Sequence, residues 1–123
     1  RFLNGALFTP NDCDSYNDWP LGLTDPNPYI ESLGTNLASD NLISNRIDYF
    51  IGSNDTQIND MSSGCAYEIL GEHRLQKTIN FNDYLDLSFE NNLHQYTILQ
   101  GIGHSSTGMF SSNEFKSYIN ELF

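Results

Sequence analysis

The chain has 123 residues, which is enough for one domain at most. Its formal net charge of -11, from 16 acidic residues against 5 lysines and arginines, leaves no basic patch for a phosphate backbone and argues against nucleic acid as a partner. The sequence also lacks the run of about 18 apolar residues that a membrane-spanning helix needs.

Residues 1–26 predict a long irregular segment, whereas residues 27–123 predict regular structure. The first segment is rich in Asn, Asp, Pro and Gly, and its apolar residues follow no regular period. Long irregular segments in compact domains are often lids or binding loops, so Tyr16 and Trp19 are candidates to line a substrate cleft. The alternative is that these aromatic side chains only hold the loop against the domain.

Cys13 and Cys65 are the only cysteines, and their separation fits no CxxC metal or redox motif. We predict a disulfide between them, which would close a loop of roughly 50 residues and indicate an extracellular or other oxidising compartment. Two reduced thiols in a cytoplasmic protein are the alternative. The three histidines, at positions 73, 94 and 104, show no HExxH or comparable spacing, so we expect neither a metal nor a cofactor.

The remainder of the chain predicts an α/β fold in the order αβαβα. Asn27 and Pro28 are typical of a helix start, and Gly34 is typical of its end. The segment 46–52 alternates β-branched and aromatic residues with others and ends at a glycine, which predicts a strand. The segment 96–99 predicts a second, short apolar strand.

The interval between the two strands predicts the helical crossover that parallel strands require. Ser62 or Ser63 is a candidate N-cap for a short helix that reaches Gly71. Asn80 is a candidate N-cap for a second helix, which carries apolar residues on one face as far as Phe89.

The last predicted helix covers residues 112–122. Ser111 and Glu114 have the spacing of a capping box, and Phe110 and Phe115 occupy the two positions of a hydrophobic staple. Apolar residues within the segment repeat at i, i+3, i+4 and i+7, which is typical of a helix.

One candidate functional residue follows each strand. Asp55 comes just after the strand that ends at Gly52, and His104 just after the strand that ends at Leu99. Side chains at the C-terminal ends of parallel strands face the crevice in which α/β folds bind ligands. There an aspartate could accept the Nδ1–H of an imidazole, which leaves Nε2 to take a proton from a nucleophile. The ordered pair predicts the acid and base of a Ser-His-Asp triad.

Simpler interpretations exist for both residues. An aspartate in a strand-exit turn often forms an Asx turn, and a histidine beside glycines can serve only to bond a loop. Asp60, further from the strand, is the second candidate for the acid. Ser105 is not a candidate nucleophile, because Thr107 breaks the G-x-S-x-G pattern and because too little chain follows for the order serine, acid, histidine.

Three motifs stand in order along the chain: YFIGSNDT, then a cysteine and GEHR, then GIGHSSTGMFSS ahead of the terminal helix. Before them CDSYNDWPLGL is followed by NPYI. Together, from Cys13 to Phe123, they resemble the C-terminal part of a group of α/β-hydrolases, mostly bacterial and fungal. The resemblance implies that Asp55 is the triad acid and His104 the triad histidine. It also implies that the nucleophile serine and the oxyanion hole precede Arg1, on a missing segment or a separate chain.

The sequence therefore predicts a single partial domain, the C-terminal part of a serine hydrolase that acts on a small ester or amide. Its expected partner is the N-terminal portion that carries the nucleophile, without which we expect neither activity nor stability. The competing hypothesis is a non-enzymatic interaction module, or an inactive hydrolase-derived fragment, that binds through Tyr16, Trp19 and its acidic surface.

Overall fold

The structure, a computed structural model, describes residues 13–15, 18, 24–59 and 61–123. The elements in these ranges are α1 (Pro28–Leu33), α2 (Thr35–Ser44), β1 (Ile47–Gly52), α3 (Cys65–Glu68), α4 (Arg74–Ser88), β2 (His94–Leu99), α5 (Ser106–Ser111) and α6 (Asn113–Leu122). No helix in this part of the chain is long and apolar enough to cross a bilayer. The predicted irregular segment 1–26 lies largely outside the described residues.

β1 and β2 form a two-stranded parallel sheet, as the sequence pattern predicts. Ile47 pairs with His94 at one end of the sheet and Gly52 with Leu99 at the other, so the two strands end side by side. α3 and α4 make the crossover between them. The described chain is therefore a mixed α/β structure in which both loops that follow a strand leave the same edge of the sheet.

α4 packs against one face of the sheet, and α6 packs against β1 on the other face. On the first face, the ring of Tyr49 meets that of Phe81 edge to face, with centroids 6.2 Å apart. On the second face, Phe50 lies 5.1 Å from Phe115 and 5.0 Å from Tyr118. Successive side chains of β1 point to opposite faces of the sheet, so its aromatic residues contact both α4 and α6.

A polar contact also ties α6 to β1. The hydroxyl of Tyr118 donates to Oδ2 of Asp48 at 2.9 Å, and Arg46 donates to the same carboxylate from Nε at 2.8 Å. The Arg46 hydrogen bond, helped by that of Tyr118, holds the pKa of Asp48 below its usual value despite partial burial.

The start of α4 differs from the prediction. The helix begins at Arg74 rather than after Asn80, and His73 is its N-cap, with Nδ1 accepting from the Gln76 N–H at 3.2 Å. Asn80 lies within the helix, where its side-chain amide donates to the carbonyl of Leu70 at 3.0 Å. Histidine is not among the preferred N-cap residues, which explains why the pattern favoured the asparagine.

α6 begins one residue later than its capping-box pattern indicates. Ser112 is the N-cap, and its Oγ accepts from the Phe115 N–H at 3.1 Å. Ser111 belongs instead to α5, a short helix that the pattern did not predict and that Ser105 caps. The contact between Phe110 and Phe115 is present, with ring centroids 5.1 Å apart.

A disulfide joins Cys13 to Cys65 across 52 residues of sequence, with Cα atoms 5.7 Å apart. The predicted bond is confirmed, and it is compatible with an oxidising compartment. Cys65 is the first residue of α3, which follows Gly64, so neither Ser62 nor Ser63 is its N-cap. The bond anchors the segment ahead of α1 to the crossover.

The end of β1 packs directly against the loop after β2. A Cβ atom at Gly52 would lie 2.0 Å from the carbonyl oxygen of Ile102. The same oxygen accepts a hydrogen bond from the Asn54 N–H at 2.9 Å, which holds the two loops together. This close approach requires a residue without a side chain at the last position of β1.

We expect Gly52→Ala to lower the free energy of unfolding by about 3 kcal/mol, because the overlap is with backbone and cannot be relieved by a rotamer change. Gly103→Ala is the matched control, since the nearest atom to its Cβ would be 3.8 Å away. Thermal unfolding of both variants checks this, and equal Tm values would contradict the close approach.

Candidate functional site

The loops that leave the sheet bring Asp55 and His104 together. Oδ2 of Asp55 lies 3.0 Å from Nδ1 of His104, although the residues are 49 positions apart in sequence. Two further bonds hold the loops in register: the Ser53 N–H donates to the Leu99 carbonyl at 2.9 Å, and the Gly101 N–H donates to Oγ of Ser53 at 2.8 Å. The two predicted residues are thus in hydrogen-bond contact.

Two backbone hydrogen bonds hold Asp55 in place. Its N–H donates to the carbonyl of Gly52 at 3.1 Å, and its carbonyl accepts from the Leu75 N–H at 3.3 Å. The residue is 1% exposed. Within the described residues no backbone N–H donates to the carboxylate, so its alternative interpretation as an Asx turn has no support there.

The two ring nitrogens of His104 differ in their contacts with the part of the chain that the structure describes. Since Nδ1 faces a carboxylate, it carries the proton and donates it. The side chain is 63% exposed, and no described residue forms a hydrogen bond with Nε2. A neutral imidazole in this state can accept a proton at Nε2 while its orientation stays fixed through Nδ1.

His104 borders an open cleft of about 770 Å³, within the range typical of small-molecule sites. The described residues that line the cleft are polar or lack a side chain: Asn54, Gln57, Asn59, Arg74, Gly103 and His104. Amide and guanidinium groups at such a wall offer hydrogen bonds to a polar ligand rather than an apolar surface.

Arg74 is a site residue that the sequence patterns did not single out. Its Nη1 lies 3.6 Å from Oδ1 of Asp55 and 3.4 Å from the carbonyl oxygen of Gln57. Its only sequence signal is its place in the motif GEHR. As the first residue of α4 it reaches the carboxylate through the tertiary fold, which a linear pattern does not display.

The other predicted candidates lie outside the described residues or have a structural role. Tyr16 and Trp19, predicted to line the cleft, and Asp60, the second candidate for the acid, lie outside the described residues. Ser105 caps α5, with Oγ accepting from the Gly108 N–H at 3.1 Å, which gives it a structural role. Among the described residues, no group of three or more His, Cys, Asp or Glu side chains could hold a metal ion.

The neutral rings of the other two histidines, His73 and His94, carry their proton on Nε2 rather than on Nδ1. Nδ1 of His73 accepts from the Gln76 N–H, so the neutral ring holds its proton on Nε2. His94 is 5% exposed, and its Nε2 lies 2.8 Å from the carbonyl oxygen of Leu42, to which it must donate. Its Nδ1 lies 2.9 Å from the hydroxyl of Tyr49 and accepts from it.

The structure therefore predicts one Nδ1–H and two Nε2–H imidazoles in the neutral protein. Nitrogen chemical shifts of the histidine rings, measured by NMR near pH 8, distinguish the two tautomers. We expect the Nδ1–H signature at His104 alone, and its loss in Asp55→Asn while His73 and His94 stay unchanged. An Nε2–H ring at His104 in the wild type would contradict the hydrogen bond to Asp55.

Comparison of the chain with models of protein families, with curated proteins and with solved structures finds no match. The function is therefore inferred from the geometry of the site.

Proposed function

We propose that this chain supplies the acid and the base of a Ser-His-Asp triad in a serine hydrolase. The observation that carries the proposal is the 3.0 Å hydrogen bond between the buried carboxylate of Asp55 and Nδ1 of His104, a residue that borders a cleft. Acid, imidazole and open nitrogen have this arrangement in triads on unrelated folds. The substrate would be a small ester or amide.

Each residue has a separate role in this reaction. Asp55 accepts the Nδ1–H, fixes the tautomer and orientation of the ring, and stabilises the imidazolium that forms. His104 takes the hydroxyl proton of the serine at Nε2 as the serine attacks the carbonyl carbon, and then returns that proton to the leaving group. Water repeats the sequence to release the acyl group, so the net reaction is acyl transfer to water.

The nucleophile would come from the N-terminal portion of the same hydrolase, on a separate chain or on a segment outside this one. In the described residues no serine forms a hydrogen bond with Nε2 of His104, and Ser105 is engaged as a helix cap. The parallel order of the strands and the sequence resemblance support the C-terminal part of an α/β-hydrolase fold. The disulfide favours an extracellular location over a cytoplasmic one.

A second candidate is a non-enzymatic interaction module. It is favoured by α1 and α2, which contain no buried residue and leave apolar side chains in solvent. Tyr29, Leu33 and Leu37 are between 42% and 68% exposed, as in surfaces that bind other proteins. Such a module would bind its partner equally well with or without the imidazole of His104.

Hydrolysis of a small chromogenic ester tests the first candidate. The protein to assay is the one that carries this chain together with the nucleophile-bearing portion. Loss of turnover in His104→Ala supports the triad, whereas unchanged turnover refutes it and leaves the interaction module.

A further inference from the structure

Asp55 holds a buried charge that its bond to His104 does not fully satisfy. The residue is 1% exposed, and Oδ2 accepts from the imidazole. Oδ1 is also buried and has no hydrogen-bond partner among the described residues. A neutral imidazole brings no positive charge, and a buried carboxylate is costly unless a cation lies close to it.

Arg74 brings that cation to the unsatisfied oxygen. Its Nη1 is 3.6 Å from Oδ1 of Asp55, close enough for charge attraction but longer than a hydrogen bond. The Arg74 side chain is 24% exposed, so solvent screens the attraction less than it screens a surface pair. The bond from the Leu75 N–H to the Asp55 carbonyl fixes the start of α4 against the acid loop, and thus fixes where the guanidinium begins.

We propose that Arg74 is the positioning residue of the acid–base pair. Its guanidinium balances the charge of Asp55 at Oδ1, which leaves Oδ2 to accept the Nδ1 proton of His104. Arg74 acts through the carboxylate and does not touch the reacting atoms. Its meaning for catalysis rests on the proposed function, whereas its effect on the tautomer of His104 can be measured in a protein without hydrolase activity.

The test compares Arg74→Gln, Arg74→Lys and Lys77→Gln by NMR of the histidine rings near pH 8. Without the guanidinium, the buried carboxylate loses the cation beside Oδ1 and turns toward water, so Arg74→Gln should convert His104 from predominantly Nδ1–H to a mixture rich in Nε2–H. Arg74→Lys keeps the charge and should keep most of the Nδ1–H form. Lys77, a cation of the same helix that lies over the ring of Tyr67, is the matched control and should change nothing.

His73 serves as the internal reference, because it caps the same helix beside Arg74. An unchanged Nδ1–H ring at His104 in Arg74→Gln, with the His73 signal intact, would overturn the proposal. If the His73 signal moves as well, a double-mutant cycle in Tm shows whether Arg74 and Asp55 interact. Arg74→Gln should lower Tm clearly in the wild type and much less in Asp55→Asn. Equal losses in both backgrounds would overturn the proposal.

Kinetics then separate positioning from substrate binding. In the active protein, Arg74→Gln should lower kcat by about 10- to 100-fold, as the loss of outer partners of functional residues often does, with KM little changed. An increase in KM alone, confined to acidic esters, would assign Arg74 to substrate binding and overturn the positioning role.

Discussion

Replacing His104 by alanine is expected to lower kcat for a small ester by roughly 10⁴- to 10⁶-fold, because the serine loses its general base. The fold should survive, since the imidazole is 63% exposed at a cleft rather than packed in the core. Steady-state kinetics measure the loss, and circular dichroism of the same sample reports on the fold.

Asp55→Asn should lower kcat by about 10⁴-fold, as the loss of the orienting acid does in serine proteases. The amide would donate to Nδ1 rather than accept from it, and would thus favour the tautomer that blocks Nε2. Combining Asp55→Asn with His104→Ala should cost scarcely more than His104→Ala alone, because residues of a triad act as a unit.

The Asp60→Asn variant tests whether Asp55 is the acid. It should lower kcat only slightly. Lys116→Ala on α6 is the control for substitution at an exposed position. If Asp60→Asn lowered kcat strongly while Asp55→Asn kept full activity, the triad acid would be Asp60 rather than Asp55. Full activity in His104→Ala would refute the hydrolase altogether.

Removing the disulfide should have the largest effect on stability. In the chain-entropy model, a cross-link that spans 52 residues stabilises the folded state by about 4 kcal/mol, since it restricts the unfolded chain. We expect the Cys13→Ser, Cys65→Ser double variant to lose about this much in urea-induced unfolding. For a domain of this size, such a loss would lower Tm by roughly 15 °C or more.

Reductant supplies the control for that experiment. It should shift the unfolding midpoint of the wild type toward that of the double variant and leave the double variant unchanged. A wild type whose midpoint does not respond to complete reduction, checked by alkylation and intact mass, would contradict the stabilising role of the bond.

The elements closest to the site could be predicted because their signals are local. Alternation and a terminal glycine indicate β1, and the apolar run before Gly101 predicts β2. Parallel strands bring their C-terminal ends to one edge of a sheet, so the sequence alone is enough to expect Asp55 and His104 close together.

The parts that escaped prediction depend on contacts between distant segments. Histidine is not among the preferred N-cap residues, so the sequence pattern predicts a start of α4 that is later than the observed one. Because α4 begins at Arg74, the side chain of this residue lies close to Asp55. Because the sequence places them 19 positions apart with no shared period, only the packing of the helix against the acid loop reveals the pair.

The close approach at Gly52 has a consequence for the motions of the site. The Ile102 carbonyl accepts from the Asn54 N–H and leaves no room for a side chain at Gly52, so the two loops that follow the strands form one rigid unit. Bringing the carboxylate and the imidazole together costs conformational entropy. Because the loops are already joined, this cost is met once, when the chain folds, and not in each catalytic cycle. Fluctuations that carry one loop carry the other with it, so the backbone keeps Asp55 and His104 at neighbouring positions while their side chains complete the contact.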